Sequence, residues 1–78
     1  MNNENTLAID AGNTRIKWGL FNASGIIIEQ GACFHAALSM LALPVAARIV
    51  VSNVADTQIQ AQLKKLLLGT LSKHLVWW

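Results

Sequence analysis

One run in this chain carries residue types that could do chemistry together: Leu7-Ala8-Ile9-Asp10-Ala11-Gly12-Asn13-Thr14-Arg15-Ile16-Lys17-Trp18-Gly19-Leu20-Phe21. An apolar stretch, Leu7 to Ile9, ends on a single carboxylate, Asp10. Gly12-Asn13 then offers a two-residue hairpin turn between apolar runs. Beyond it Ile16, Trp18 and Leu20 alternate with Arg15, Lys17 and Gly19, which is the period of a strand. A carboxylate at a strand tip, a glycine turn, a hydroxyl and a lysine could together hold a magnesium-bound phosphate. Gly12 has no Cβ, so the backbone can take positive φ there and approach a bulky anion closely. Successive N–H groups through such a turn can converge as an anion-binding concavity. Asn13 and Thr14 add side-chain donors, and Lys17 adds a point charge able to reach a phosphate oxygen. Asp10 would repel a bare phosphate, so its presence argues for a bridging cation. Magnesium, which takes one or two carboxylates and keeps several waters, fits that place. The same pattern also suits a plain hairpin, with Asp10 opening the turn, Thr14 in the strand, and Arg15 and Lys17 on a solvated face. Short motifs often match by chance.

The remaining residues read as the elements that must position this hairpin. Asn22-Ala23-Ser24-Gly25 is a turn cluster, and Ile26 to Phe34 reads as a third strand, its β-branched Ile26-Ile27-Ile28 suiting a sheet. Short connections make the first three strands an antiparallel meander. His35 to Leu43 reads as a short helix that stops before Pro44. Ile49-Val50-Val51 is an unbroken apolar strand, as expected of one covered on both faces. Asp56 or Thr57 can cap a helix with the apolar stripe Ile59, Leu63, Leu66, Leu67 and Leu71. Lys64 and Lys65 suit its C-terminal dipole, and Gly69 can end it. Leu75 to Trp78 reads as a fifth strand. The order is strand, strand, strand, helix, strand, helix, strand: an α/β fold with a mixed sheet. Ser52 and Asn53 lie just past a parallel strand, where open α/β sheets place ligands, although loop Ser and Asn more commonly bond their own backbone. His35, without a carboxylate or cysteine near it in sequence, reads as structural. His74 reads as surface, and Trp77 and Trp78 as core or partner-facing residues.

Whole-chain properties exclude several classes. Seventy-eight residues make at most one small domain, yet 54% are hydrophobic and only 13% charged, so the chain is expected to continue or to pair in its native setting. Leu75-Val76-Trp77-Trp78 reads in the same way, as a strand cut off within a core. A net charge of +2, with Arg15/Lys17 and Lys64/Lys65 as separate pairs, lacks the clustered basic stripe of a nucleic-acid binder. The lone Cys33 has no partner for a disulfide and no zinc-ligand spacing, and reads as an inert thiol in a reducing compartment. Met1 to Asn5 lacks the basic region of a secretory signal. The uncharged stretch from Gln30 to Ala47 is broken by His35 and Pro44, so it falls short of a membrane span.

Asp10 to Trp18 resembles the first phosphate motif, Asp-x-Gly-Asn-Thr/Ser, of the type III pantothenate kinases. That family belongs with acetate and sugar kinases, heat-shock chaperone ATPases and actin. The Arg-Ile-Lys-Trp continuation looks like its proteobacterial branch, sometimes described as Bvg accessory factor-like. Ser52-Asn53-Val54-Ala55 resembles a Ser-Val-Ala stretch these kinases carry after the equivalent strand. The resemblance implies that residues 1–78 form an incomplete first ribonuclease H-like half-domain, with a second domain absent. It implies ATP and phosphate binding by Asp10, Ala11, Gly12, Asn13, Thr14, Arg15, Ile16 and Lys17, with Asp10 holding magnesium. The implied reaction moves the ATP γ-phosphoryl group to the primary hydroxyl of pantothenate, opening coenzyme A synthesis. A potassium or ammonium ion, a homodimer and a cytoplasmic location are implied as well, with no role for nucleic acid or membrane. The general-base aspartate of the family sits in a Gly-x-Asp-Arg motif that these residues lack. No catalytic residue is therefore assigned, and the chain is expected to be an inactive N-terminal piece, roughly a third of a member at typical domain sizes. Two rival readings stand beside it: a non-catalytic regulatory relative, and another kinase or ATPase of the same superfamily.

Overall fold

The computed structural model describes residues 4–68 and 74–77. Strands β1 (Thr6–Ala11), β2 (Arg15–Phe21) and β3 (Ile27–Phe34) come first, followed by a 3-10 helix (His35–Met40). Strand β4 (Arg48–Asn53), helix α1 (Thr57–Leu68) and strand β5 (His74–Trp77) complete the order. One five-stranded sheet results, with spatial order β3-β2-β1-β4-β5. β1 to β3 are antiparallel, and β4 runs parallel to both β1 and β5. This is the mixed α/β sheet that the patterning indicates.

The core forms on one face because strand side chains alternate with a period of two. Leu7, Ile9 and Ala11 of β1, Ile16 and Leu20 of β2, and Ile49 and Val51 of β4 are buried there with Leu38 of the 3-10 helix. Ile59, Leu63 and Leu67 of α1 close the same cluster. Both crossovers, β3 through the 3-10 helix to β4 and β4 through α1 to β5, step in the same direction across the sheet. Right-handed connections therefore carry both helical segments to the same side. The opposite face is more open: Ala8 and Val50 are half-buried, and Asp10, Lys17 and Ser52 are exposed. β4 is thus packed on one face rather than on both, and its apolar run reflects Val50 sharing the open face with Arg48 and Ser52.

Local chemistry sets the element ends. Asn22 Oδ1 accepts from the Ser24 and Ile26 N–H groups at 2.9 and 3.0 Å, and Gly25 takes φ 80°. Ile26 is consumed by that turn, its carbonyl accepting from the Asn22 N–H at 2.9 Å, so β3 starts one residue later than expected. The register then slips between Leu20 and Phe21, leaving an extra residue on β3 as in a β-bulge. Asp56 caps α1, its Oδ1 accepting from the Ile59 N–H at 2.9 Å. Lys65 sits in the last turn, where the dipole favours a cation.

The first helical segment is shorter and tighter than His35 to Leu43. Its last bond runs from the Leu41 N–H to the Leu38 carbonyl at 3.1 Å, and Leu41 is already extended. Pro44 pushes Leu43 out of the α region, which leaves too few residues to repay α-helix nucleation. Gly69, Leu71 and Trp78, named above as helix stop, stripe and strand end, lie outside the described residues. So do the side chains of β5, on which the expectations for His74 and Trp77 rest.

Candidate phosphate site

β1 and β2 are paired so that Asp10 stands directly opposite Lys17. Their side chains share the open face, because residues directly opposite in an antiparallel pair point the same way, with Cβ atoms about 5 Å apart. β4 adds Ser52 beside Asp10 on its other flank. A carboxylate, an ammonium and a hydroxyl thus form one cross-strand row at the end of β1. The turn closes the row from above, with the Gly12 N–H donating to the Arg15 carbonyl at 3.0 Å.

Asp10, Gly12, Thr14, Arg15 and Lys17 line a single open pocket of about 160 Å³. Five of the eight residues named from the sequence therefore meet in one place. Asn13 is exposed at the tip of the turn and does not line the pocket. Ala11 and Ile16 are fully buried, their side chains turned into the core on the other face. What these two can offer a ligand is backbone alone. The same alternation that exposes Asp10 and Lys17 buries their neighbours.

Gly12 does not use the positive φ open to a glycine: Gly25 is the positive-φ glycine among the described residues. The constraint at Gly12 is room: a Cβ there would stand 3.2 Å from the Arg15 carbonyl oxygen, tighter than most real contacts. Asn13 and Thr14 also keep negative φ, so the turn is not the primed type that Gly-Asn suggests.

Electrostatically the pocket combines two cationic side chains with one carboxylate. Among the described residues no cluster of three or more His, Cys, Asp or Glu could hold a metal by itself. A lone exposed carboxylate fits magnesium that arrives already bound to phosphate, since that ion keeps its waters and takes few protein ligands. The β4 loop behaves as local chemistry predicts: Asn53 Oδ1 accepts from the Ala55 N–H at 3.1 Å, and the Val54 N–H donates to the Ala11 carbonyl at 2.9 Å. Asn53 is thereby engaged in shaping the loop.

His35, read from the sequence as structural, has partners that the sequence did not indicate. Its ring Nε2 lies 2.8 Å from the Gly12 carbonyl oxygen, and its backbone N–H donates to the Thr14 carbonyl at 3.2 Å. No spacing rule signals this contact, because 23 residues separate His35 from Gly12.

No protein-family model matches the chain. Individual proteins do. A type III pantothenate kinase of Aromatoleum aromaticum is 46% identical over 68 residues, covering 81% of this chain and 28% of that protein. One of Burkholderia lata is 41% identical over 70 residues, covering 83% and 26%. One of Nitrosospira multiformis is 35% identical over 65 residues, covering 78% and 25%. The chain spans about a quarter of the length of the curated relatives it matches.

Proposed function

We infer that this chain, a member by sequence of the type III pantothenate kinase family, supplies the phosphate-gripping hairpin of such an enzyme. One observation carries the reading: Asp10, Gly12, Thr14, Arg15 and Lys17 line one open pocket, with Asp10 and Lys17 in cross-strand register. A meander followed by two helix-linked parallel strands is also compatible with the ribonuclease H-like half-domain of that superfamily.

The roles follow from charge and reach. Phosphoryl transfer depends on positioning and charge neutralisation, with little covalent work for the protein. Asp10 is the residue that would hold a magnesium ion arriving with ATP. The backbone N–H groups of Asn13 and Thr14 and the Thr14 hydroxyl donate to β- and γ-phosphate oxygens. Lys17 and Arg15 offset negative charge, Lys17 as a point charge and Arg15 as a planar fork. A magnesium ion held at Asp10 would supply charge neutralisation for the phosphates. The acceptor is pantothenate, with a potassium or ammonium ion, a homodimer and a cytoplasmic setting carried over from the family. These 78 residues hold no candidate for the base that would deprotonate the acceptor. Asp56 caps α1, Glu29 lies exposed on the edge strand β3, and Glu4 is exposed ahead of β1. The chain alone therefore binds weakly and does not catalyse.

Titrating the 78-residue chain with ATP, with and without magnesium, tests this directly. Amide shifts clustered at residues 10–17, stronger with magnesium, are expected, and Asp10→Asn should abolish the magnesium advantage while leaving the melting curve in place. Shifts scattered elsewhere, or indifference to magnesium, would overturn the reading. In a longer version carrying the Gly-x-Asp-Arg motif, Asp10→Asn should remove magnesium-dependent turnover of pantothenate. Wild-type turnover in that variant would sink the role of Asp10.

A further inference from the structure

The phosphate turn is fastened from behind by one residue. A carbonyl oxygen only accepts, so the 2.8 Å contact requires His35 Nε2 to carry a proton and donate it to Gly12. The His35 backbone N–H takes the Thr14 carbonyl, so a single residue holds the carbonyls on both sides of Asn13. In a trans peptide the C=O and the following N–H point in opposite directions. Fixing the Gly12 carbonyl on His35 therefore turns the Asn13 N–H away from His35. The bond to the Thr14 carbonyl continues the β2–β3 ladder in the plane of the sheet, which leaves the Arg15 N–H facing β1.

The direction matters because the two faces of the sheet differ. The 3-10 helix that begins at His35 packs on the core face, where its Leu38 is 2% exposed. Asp10 and Lys17 are exposed on the other face, and His35 does not line their pocket. Carbonyl oxygens facing a bound phosphate would repel it, whereas N–H groups attract it. We propose that His35 is a positioning residue: its Nε2–H holds the Gly12 carbonyl on the core side, presenting the Asn13 N–H to phosphate oxygens in the Asp10–Lys17 pocket. This rests on the phosphate reading above and adds to it a residue on a different element.

Two variants of the 78-residue chain separate the ring bond from bulk. His35→Gln keeps an N–H donor at similar reach, and His35→Leu keeps volume without a donor. Both retain the backbone bond to Thr14. Magnesium tripolyphosphate is the probe, with affinity read from amide shifts. His35→Leu should weaken binding about fivefold, the worth of one ordinary hydrogen bond, and His35→Gln should restore it to within about twofold. In the wild type, nitrogen-detected spectra of the ring should show Nε2 protonated. Backbone relaxation at Asn13 should report greater motion in His35→Leu than in His35→Gln. Equal affinity and equal order in wild type and His35→Leu would overturn the proposal, as would an unprotonated Nε2. Should the wild type bind no tripolyphosphate, the phosphate reading falls, and the ring and relaxation measurements still decide whether His35 holds the turn. If His35→Leu fails to fold, the wild-type ring spectrum and the His35→Gln affinity decide it.

Discussion

Asp10 and Ala11 are adjacent in the chain, yet one is exposed beside the candidate pocket and the other is completely buried. The pleat alone separates them, and it separates Ile16 from Lys17 in the same way. Residues suited to binding and residues needed for stability are thus interleaved along the hairpin. Cys33 shows a second residue-scale effect. Partial burial pushes its thiol above the ordinary value, because the thiolate is the form that loses hydration. At neutral pH less of it is ionised than in a free thiol, so alkylation should be slower in the folded chain than in urea. The pH midpoint of the alkylation rate should also lie higher in the folded chain. The linkage has a definite sign: the protonated thiol is favoured by folding, so this contribution is whole below the unfolded thiol's pKa and is lost as pH rises through the folded one. An equal midpoint in both states would contradict the placement of Cys33 against the core.

At the scale of elements, the ends are set by single side chains. Asp56 holds the start of α1 through the Ile59 N–H, and the Gln60 N–H then takes the Asp56 carbonyl at 3.0 Å. Asp56→Ala should cost about 0.5–2 kcal/mol of stability by urea unfolding, with Asp56→Ser recovering most of it. A full loss in both variants would mean that the carboxylate acts elsewhere than at the cap. That helix was legible because its periodicity, its cap and its terminal lysines agree. The 3-10 segment was legible only as helical, because whether six residues wind with i+3 or i+4 bonds depends on what they pack against. The turn was legible as a turn, but its type was not. Gly-Asn suggests positive φ, whereas His35 and the Arg15 carbonyl hold a different shape.

For the molecule as a whole, one core on one face of the sheet supplies the packing. Leu63 is buried to 0% exposure at the centre of that layer, so Leu63→Ala should cost about 2–5 kcal/mol. In a domain this small such a loss approaches the entire stability, and urea unfolding should show the midpoint collapsing towards zero denaturant. A change below about 1 kcal/mol would mean that α1 does not pack as described. The open face, the exposed Ile26 to Ile28 and a chain spanning about a quarter of its relatives' length all belong to this scale.

By itself the sequence determined the order of the elements and the alternation of the β1–β2 hairpin, and it narrowed the cap of α1 to Asp56 or Thr57. It also grouped the eight residues from Asp10 to Lys17 as one candidate site, of which Asp10, Gly12, Thr14, Arg15 and Lys17 line the pocket. These are local properties, written in alternation, periodicity and the reach of short side chains. Tertiary structure decided that Ser52 stands beside Asp10, that Gly12 needs space rather than positive φ, and that His35 reaches back across 23 residues to hold the turn. Such contacts arise only when the sheet and the 3-10 helix have closed on one another, because no local preference encodes which distant carbonyl a ring nitrogen will meet.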